Sequence, residues 1–393
     1  MSALLLLLPT VLAAGPIEHP CTVKLKGQDK GCMVETWGEL RLIESLPPDL
    51  QLNTDGAMLG QEQVLDSRLR AGIQLGPQKI HGTLEGDMFE AQIAGDPWNV
   101  PGTEDARERH LVEPMRMGAF DLRKASVGGR AGVIGYEAGL TTSHWGLGMV
   151  ANDGDHDAVF GRNDFGDRVI RARIGTRPIQ KGKVPLYFIL AGDRVVEDEL
   201  AVWTPFTDAP DQAAWQGVAT VMYKPDKVED GPTVGIYGVY RHQTEADLER
   251  KTSAGVMDLY GDWTTLASGW ELRFAAEVAG ILGDTSRTQT YNSRDGLKVR
   301  SAGATGLFQA SPKDGKGRGL LRAGWASGDG DPDDDTLHDF TFDRDFDAGM
   351  VTFDEVQGAI DAATYSQLGD PAHSGAAPEG ADGLVTEGAF GHA

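Results

Sequence analysis

Between Trp270 and Gly280, apolar and charged residues alternate one by one. Trp270, Leu272, Phe274, Ala276 and Val278 stand on one side, with Glu271, Arg273 and Glu277 on the other. A helix would scatter those charges around its axis, whereas the period of two in a strand sorts them onto opposite faces. The run is about as long as the roughly 9–11 residues that a tilted strand needs to cross a bilayer. The same period recurs along the chain. Leu69, Ala71, Ile73 and Leu75 oppose Arg68, Arg70 and Gln74, and Ile170, Ala172 and Ile174 alternate with Arg171 and Arg173. Val234, Ile236, Gly238 and Tyr240 alternate with Thr233, Gly235, Tyr237 and Val239, and residues 215–223, 299–310 and 320–326 also read as strands.

Alternation alone does not separate a soluble sandwich from a membrane barrel, because each has one apolar face per strand. Three observations favour the barrel. Turns alternate between short ones (75–79) and long acidic ones (328–339), and the aromatics Trp145, Trp203, Trp215, Trp263, Trp270 and Trp325 stand near strand ends. Barrels of this class have short periplasmic turns, long external loops and aromatic girdles at both interfaces. Strands also follow one another without intervening helical segments, which suits an up-and-down meander.

Composition narrows the function classes. There are 59 acidic and 36 basic residues, a formal net charge of −23, which argues against a nucleic-acid partner. The run Leu4–Leu8 followed by small residues at Ala13 and Ala14 reads as a secretory signal over residues 1–14. The alternative, a short membrane anchor, is disfavoured because a span needs about 20 apolar residues. Residues 15–36 then form a periplasmic N-terminal segment in which Cys21 and Cys32 read as a disulfide loop or as two free thiols. A barrel is expected over residues 37–366. Residues 367–393, rich in Gly, Ala, Pro and acids, read as a flexible loop or a barrel segment cut short at Ala393.

Several motifs bear on chemistry. The stretch His144–Asp157, rich in glycine and acidic turn residues, reads as a β-hairpin connection at a membrane border. Within it Gly146-Leu147-Gly148-Met149-Val150-Ala151 matches a dinucleotide fingerprint, but Asn152-Asp153-Gly154-Asp155 stops the helix such a site requires. The loop 328–335 carries Asp329, Asp331, Asp333 and Asp335, which read either as a solvated external loop or as hard oxygen ligands for calcium. Asn152, Asp153, Asp155 and Asp157 form a weaker cluster of the same kind, and no other cofactor is expected. Two basic patches complete the set, one of Arg116, Arg123, Lys124 and Arg130, the other of Arg162, Arg168, Arg171 and Arg173. In a barrel they either salt-bridge across the lumen or set anion preference. No nucleophile elbow, zinc helix or P-loop occurs, so the chain is expected not to be an enzyme.

Gly128-Gly129-Arg130, His144-Trp145-Gly146-Leu147-Gly148 with Asn152-Asp153-Gly154-Asp155, and Phe165-Gly166-Asp167-Arg168-Val169 resemble a largely uncharacterised group of myxobacterial outer-membrane β-barrel proteins. That group is distantly similar to the alginate-export porins. The loop Ala323–Asp329 with a following strand over 340–353, and Leu384–Ala389, are similar to further motifs of the group. The resemblance implies a monomeric barrel in the bacterial outer membrane, in contact with its lipid, passing small solutes or an anionic polysaccharide. It also implies a longer chain than the one ending at Ala393.

The expectation is therefore an all-β, antiparallel up-and-down transmembrane barrel of roughly 12–18 strands acting as a passive porin-like channel. Its candidate pore-lining residues are Arg116, Arg123, Arg130, Arg171, Arg173, Glu271, Arg273 and Glu277. The alternatives are a non-conducting structural or adhesion barrel with calcium-binding loops, and a secreted β-rich carbohydrate-active protein.

Overall fold

The computed structural model describes residues 34–45, 64–95, 120–155, 166–179, 184–198, 212–227, 230–245, 250–286, 296–315, 317–329, 334–343 and 345–346. The expected signal, the cysteine pair, Arg116, Trp203, Asp331, Asp333 and residues 367–393 lie outside them. Among the described residues there is no α-helix, and the elements are β1 (Val34–Ser45), β2 (Val64–Leu75), β3 (His81–Gly95), β4 (Phe120–Ala131), β5 (Ile134–Thr142), β6 (Arg168–Thr176) and β7 (Leu186–Glu197). They continue with β8 (Gln212–Tyr223), β9 (Thr233–Glu245), β10 (Arg250–Ala267), β11 (Trp270–Thr285), β12 (Leu297–Pro312), β13 (Gly319–Ala326) and the two-residue β14 (Thr336–Leu337). The sheet runs β1 to β13 in sequence order, as an up-and-down meander must.

Connection lengths alternate. Short turns at 76–80, 132–133, 268–269 and 313–318 join strands at one edge, while 46–63, 96–119, 143–167, 198–211 and 286–296 join them at the other. The link 246–249 is a short one on the long-loop side.

The chain divides into two compact units, the first including residues 1–127 and the second residues 128–354. In the first, one face of the strands holds a dense charge cluster. Arg70 and Asp87 face each other with two hydrogen bonds of 2.7 Å, Arg123 lies 3.6 Å from Glu85 and 3.7 Å from Asp87, and the Trp37 indole donates to Glu85 at 2.6 Å. Arg70, Glu85, Asp87 and Arg123 are all buried, whereas Leu40, Leu75, Leu84 and Phe89 are exposed.

The second unit repeats that inversion on a larger scale. Ile174, Leu190, Ile236, Tyr240, Met257, Leu259, Phe274, Val278 and Leu282 are exposed, while Arg171, Asp193, Thr220, Gln243, Asp258, Glu277 and Thr305 are buried. Register explains the sorting, because Leu259 opposes both Ile236 and Val278, and Tyr260 opposes Glu277. One face of this sheet is therefore open and apolar and the other covered and charged, the reverse of a soluble protein. On β10 the open face is free of charge from Gly255 to Trp263, between Ser253 and Thr265. The stretch lying between Ser253 and Thr265, residues 254–264, at roughly 3.4 Å per residue and a tilt of about 45° rises about 26 Å, the height of a membrane barrel's apolar band. Aromatic rings close the short-turn end of the band, with Trp263, Phe274 and Phe308 in a row at centroid distances of 6.0 and 5.0 Å.

Two expectations are corrected by the packing. Trp145 is buried against Tyr237 and Tyr260 on the covered face, so it belongs to no interfacial girdle. The described part of 340–353 is no strand: beyond the parallel bridge of β14 to Lys298 and Val299, residues 338–343 and 345–346 are irregular. Its Phe340 and Phe346 instead form an apolar cluster with Met149, Ala279 and Ala326.

A cation placed on the open face should cost what lipid exacts. Met257→Arg, at the middle of the band, is expected to destabilise folding in phosphatidylcholine vesicles by about 2–4 kcal/mol by denaturant titration. The same substitution in a sheet facing water would leave the midpoint unchanged.

Candidate functional site: a segment seated on the charged face

The connection between β5 and β6 does not stand away from the sheet. Residues 143–155 fold back against the covered face, and the glycines that suggested an external hairpin provide the curvature. Trp145 N donates to Ala151 O at 3.0 Å, Gly148 N to Trp145 O at 2.9 Å, and Asp167 N to Asn152 O at 2.7 Å, so the segment is braced by its own backbone. Gly146 has a φ of +60° and a Cβ there would strike the Glu277 carboxylate, so both conformation and space exclude a side chain.

Three contacts seat the segment on the strands. The Trp145 ring stacks on Tyr237 of β9 at 5.0 Å and lies over Gly235, where any Cβ would collide with it. Its indole N–H donates to Asp258 Oδ1 of β10 at 2.8 Å. The amide of Leu147 donates to Glu277 Oε2 of β11. A second layer, residues 338–343 and 345–346, locks the first from the other side. Asp343 Oδ2 accepts from Asn152 N at 3.1 Å, Asp345 Oδ2 accepts from Gly166 N, and the Asn152 amide donates to Asp345 O at 3.1 Å. Phe340 settles over Gly303 of β12 as Trp145 does over Gly235.

The candidate pore-lining residues divide sharply. Arg171 is buried and bound to Asp193 through two hydrogen bonds of 2.7 Å and to Ser143 Oγ at 3.0 Å. Arg173 pairs with Glu137 at 2.6 Å, and Arg273 donates to Asp262 at 3.0 and 2.6 Å. Glu277 anchors the seated segment, and its carboxyl lies against that of Asp258. Arg123 belongs to the charge cluster of the first unit. Arg130 is exposed and its Nε donates to Gly132 O at 2.9 Å in the β4–β5 turn, while Glu271 is exposed beside the β10–β11 turn. Of the proposed calcium ligands, Asp329 Oδ2 accepts from His338 N at 3.3 Å and Asp335 gives its backbone carbonyl to Lys298 N at 2.9 Å. Among the described residues no group of three metal-ligating side chains converges.

Sequence reasoning misses Asp193, Asp258 and Asp262, which complete the covered face. Their signal is parity alone, since each falls on the same strand face as a buried polar neighbour. Between the seated segment and the short-turn edge lies a cavity of about 690 Å³. Arg171, Arg173, Arg273, Lys224 and Lys227 line it against the acids Asp226 and Asp262, with Tyr237 and Tyr260 beside them. At its mouth the Arg177 guanidinium, 2.6 Å from Asp226, holds that exposed carboxyl below its ordinary value through a direct hydrogen bond.

No protein-family model and no curated protein sequence matches the chain. Among solved structures it is similar to in-vitro folded OmpT, an outer membrane protein of Vibrio cholerae, at 10% identity and a TM-score of 0.34, covering 79% of this chain and 94% of that one. The trimer form of OmpT gives 10% identity and a TM-score of 0.35 over 78% and 94% of the two chains. A loop L8 deletion mutant of OmpT gives 11% identity and a TM-score of 0.33 over 75% and 93%. The inverted faces and the apolar band carry the assignment themselves. The fold is an all-β antiparallel meander of the outer-membrane β-barrel class, and the bacterial outer membrane is where it resides.

One further expectation is overturned, that the chain is not an enzyme. It rested on missing short motifs, whose absence excludes no chemistry assembled from residues distant in sequence. The covered face meanwhile brings together two carboxyl groups, Asp258 and Glu277, from adjacent strands, an arrangement no short motif reports.

Removing one partner of the buried Arg171–Asp193 pair strands a charge. Asp193→Ala is expected to lower unfolding stability in vesicles by about 3–5 kcal/mol, and the double variant Arg171→Met with Asp193→Leu to recover most of it. Equal losses in the single and double variants would show that the pair is not what the fold requires there.

Proposed function

We propose that the chain is a porin-like channel for small solutes, that the seated segment 143–155 is its constriction, and that it prefers anions. The observation that carries this reading is the cavity beneath Trp145, where Lys224 and Lys227 stand beside the ion-paired Arg171, Arg173 and Arg273 in a chain of net charge −23. Fixed charge close to a narrow passage sets ion preference because desolvated ions meet it at short range. A segment braced on β9, β10 and β11 favours small solutes over a polysaccharide, since a polymer needs width along its whole path.

The density of bonds that seat the segment supports a second reading, a barrel that does not conduct until the segment moves. Single-channel recording separates the two. A conducting wild type with anion preference, reduced in Lys224→Gln/Lys227→Gln and widened in Trp145→Ala, is the expected result. A silent wild type with a conducting Trp145→Ala variant selects the closed barrel. Silence in both removes the channel reading.

A further inference from the structure

Resting on the channel reading for the access of solutes to the cavity beneath Trp145, we propose that this cavity is a binding site for organic anions with an apolar body, of the arylalkyl carboxylate class. The covered face on either side of it is polar, with Arg171 and Arg173 on β6 and Arg273 and Glu277 on β11. Between them, β7 and β8 turn apolar side chains to the cavity. Ile189, Ala191, Val218 and Met222 all line it, and Ala191 opposes Val218 across the strand pair. Val218 and Ala191 pack with Trp145 and Tyr237 and so belong to the seat of the segment. Ile189 and Met222 stand outside that cluster, half-buried at the cavity wall. A strand face that lines water in a membrane barrel is ordinarily polar, so folding in lipid does not call for this wall. Apolar side chains in a concave site with a few charged groups beside them are the make-up of a small-molecule pocket.

The cation that adjoins this wall is Arg173, which opposes Ala191 in register. Its ion pair does not withdraw it from the cavity. The Arg173 side chain is 45% exposed, whereas that of Glu137, 2.6 Å away, is 19% exposed. Among the described residues that line the cavity Arg173 is present and Glu137 is not, so a solute meets the guanidinium before the carboxylate. A guanidinium carries five N–H donors, more than one carboxylate can engage, and a second carboxylate can share it. Arg171 differs, since its side chain is 8% exposed against Asp193 and is spent on the fold. Across the cavity Tyr260 donates its hydroxyl to Asp262 at 2.9 Å, which leaves its ring, edge-on to Trp145 at 6.1 Å, as the surface it contributes.

Wall and cation together select the ligand. The cavity of about 690 Å³ has the size of a site for a small organic molecule. A hydrated inorganic anion gains nothing from Ile189 and Met222, and a neutral apolar molecule gains nothing from Arg173. An organic cation would meet Arg173, Arg273 and Lys224 in one enclosure. A carboxylate on an apolar body satisfies both features at once, its head on Arg173 and its body along Ile189 and Met222 beneath the Trp145 seat.

The test is calorimetric titration of the full chain, folded in phosphatidylcholine nanodiscs, with phenylbutyrate, phenylbutyramide, phenylbutylamine or acetate, each corrected for uptake by empty nanodiscs. Phenylbutyrate is expected to bind saturably, the amide about tenfold more weakly, and the amine and acetate not at all. Arg173→Gln is expected to weaken phenylbutyrate about tenfold and leave the amide unchanged, and Arg173→Lys to restore most of the loss. Met222→Gln, of similar shape, is expected to weaken phenylbutyrate and the amide alike by about threefold. If Arg173→Gln does not fold, its combination with Glu137→Gln gives the same reading. Amide or acetate binding as tight as that of phenylbutyrate, or undiminished affinity in both variants, overturns the proposal. Conductance of the same protein in planar bilayers keeps the two readings apart. Saturable binding without conductance upholds the site and removes the channel, whereas conductance without binding overturns the site and leaves the channel.

Discussion

The indole of Trp145 stacks on Tyr237, lies over Gly235 and donates its N–H to Asp258, and the remainder of the second unit is organised around that anchor. A buried indole N–H without an acceptor is costly, and so is a buried carboxylate without a donor, so each group accounts for the other on this face. Glu277 and the amide of Leu147 repeat the exchange one strand away. Together they convert what would be an exposed connection into part of the covered interior. Phe340 and Phe346 then have an apolar floor on which to pack, built from Met149 and Ala279.

Lipid imposes the complementary constraint. Because a bilayer core offers no hydrogen bonds, the open face has to be apolar and the backbone has to be satisfied between strands. Polar and charged side chains are thereby driven to the covered face, where they are stable only as pairs. The Arg171–Asp193, Arg173–Glu137 and Arg273–Asp262 pairs are the outcome, joining β6 to β7, β5 to β6 and β10 to β11.

Much of this was legible in the residues wherever the two faces differ in polarity. The faces of β11 and β6 follow directly from Trp270–Val278 and from Ile170–Ile174, and Glu277, Arg171 and Arg273 fall on the covered side as alternation predicts. Alternation leaves β7 unassigned because Tyr187, Ile189 and Ala191 make its covered face apolar along half its length. It leaves β10 unassigned because Gly255 and Gly261 dilute the open face while Ala254 softens the covered one. The seated segment was hidden for a different reason. Trp145, glycines and an Asn-Asp turn have the composition of a loop at an interface, and the partners that reveal otherwise are distant in sequence. Asp258 is 113 residues from Trp145, and Asp343 is 191 from Asn152.

The central claim is that residues 143–155 are part of the folded interior. Hydrogen exchange of the Trp145 indole N–H and the Leu147 amide in the full chain, folded in lipid vesicles, tests it most directly. The account predicts that both exchange as slowly as the strand amides of β10 and β11, because both donors are bonded to carboxylates that leave only when the sheet opens. Exchange at the rate of an exposed loop would contradict it and return the segment to the surface.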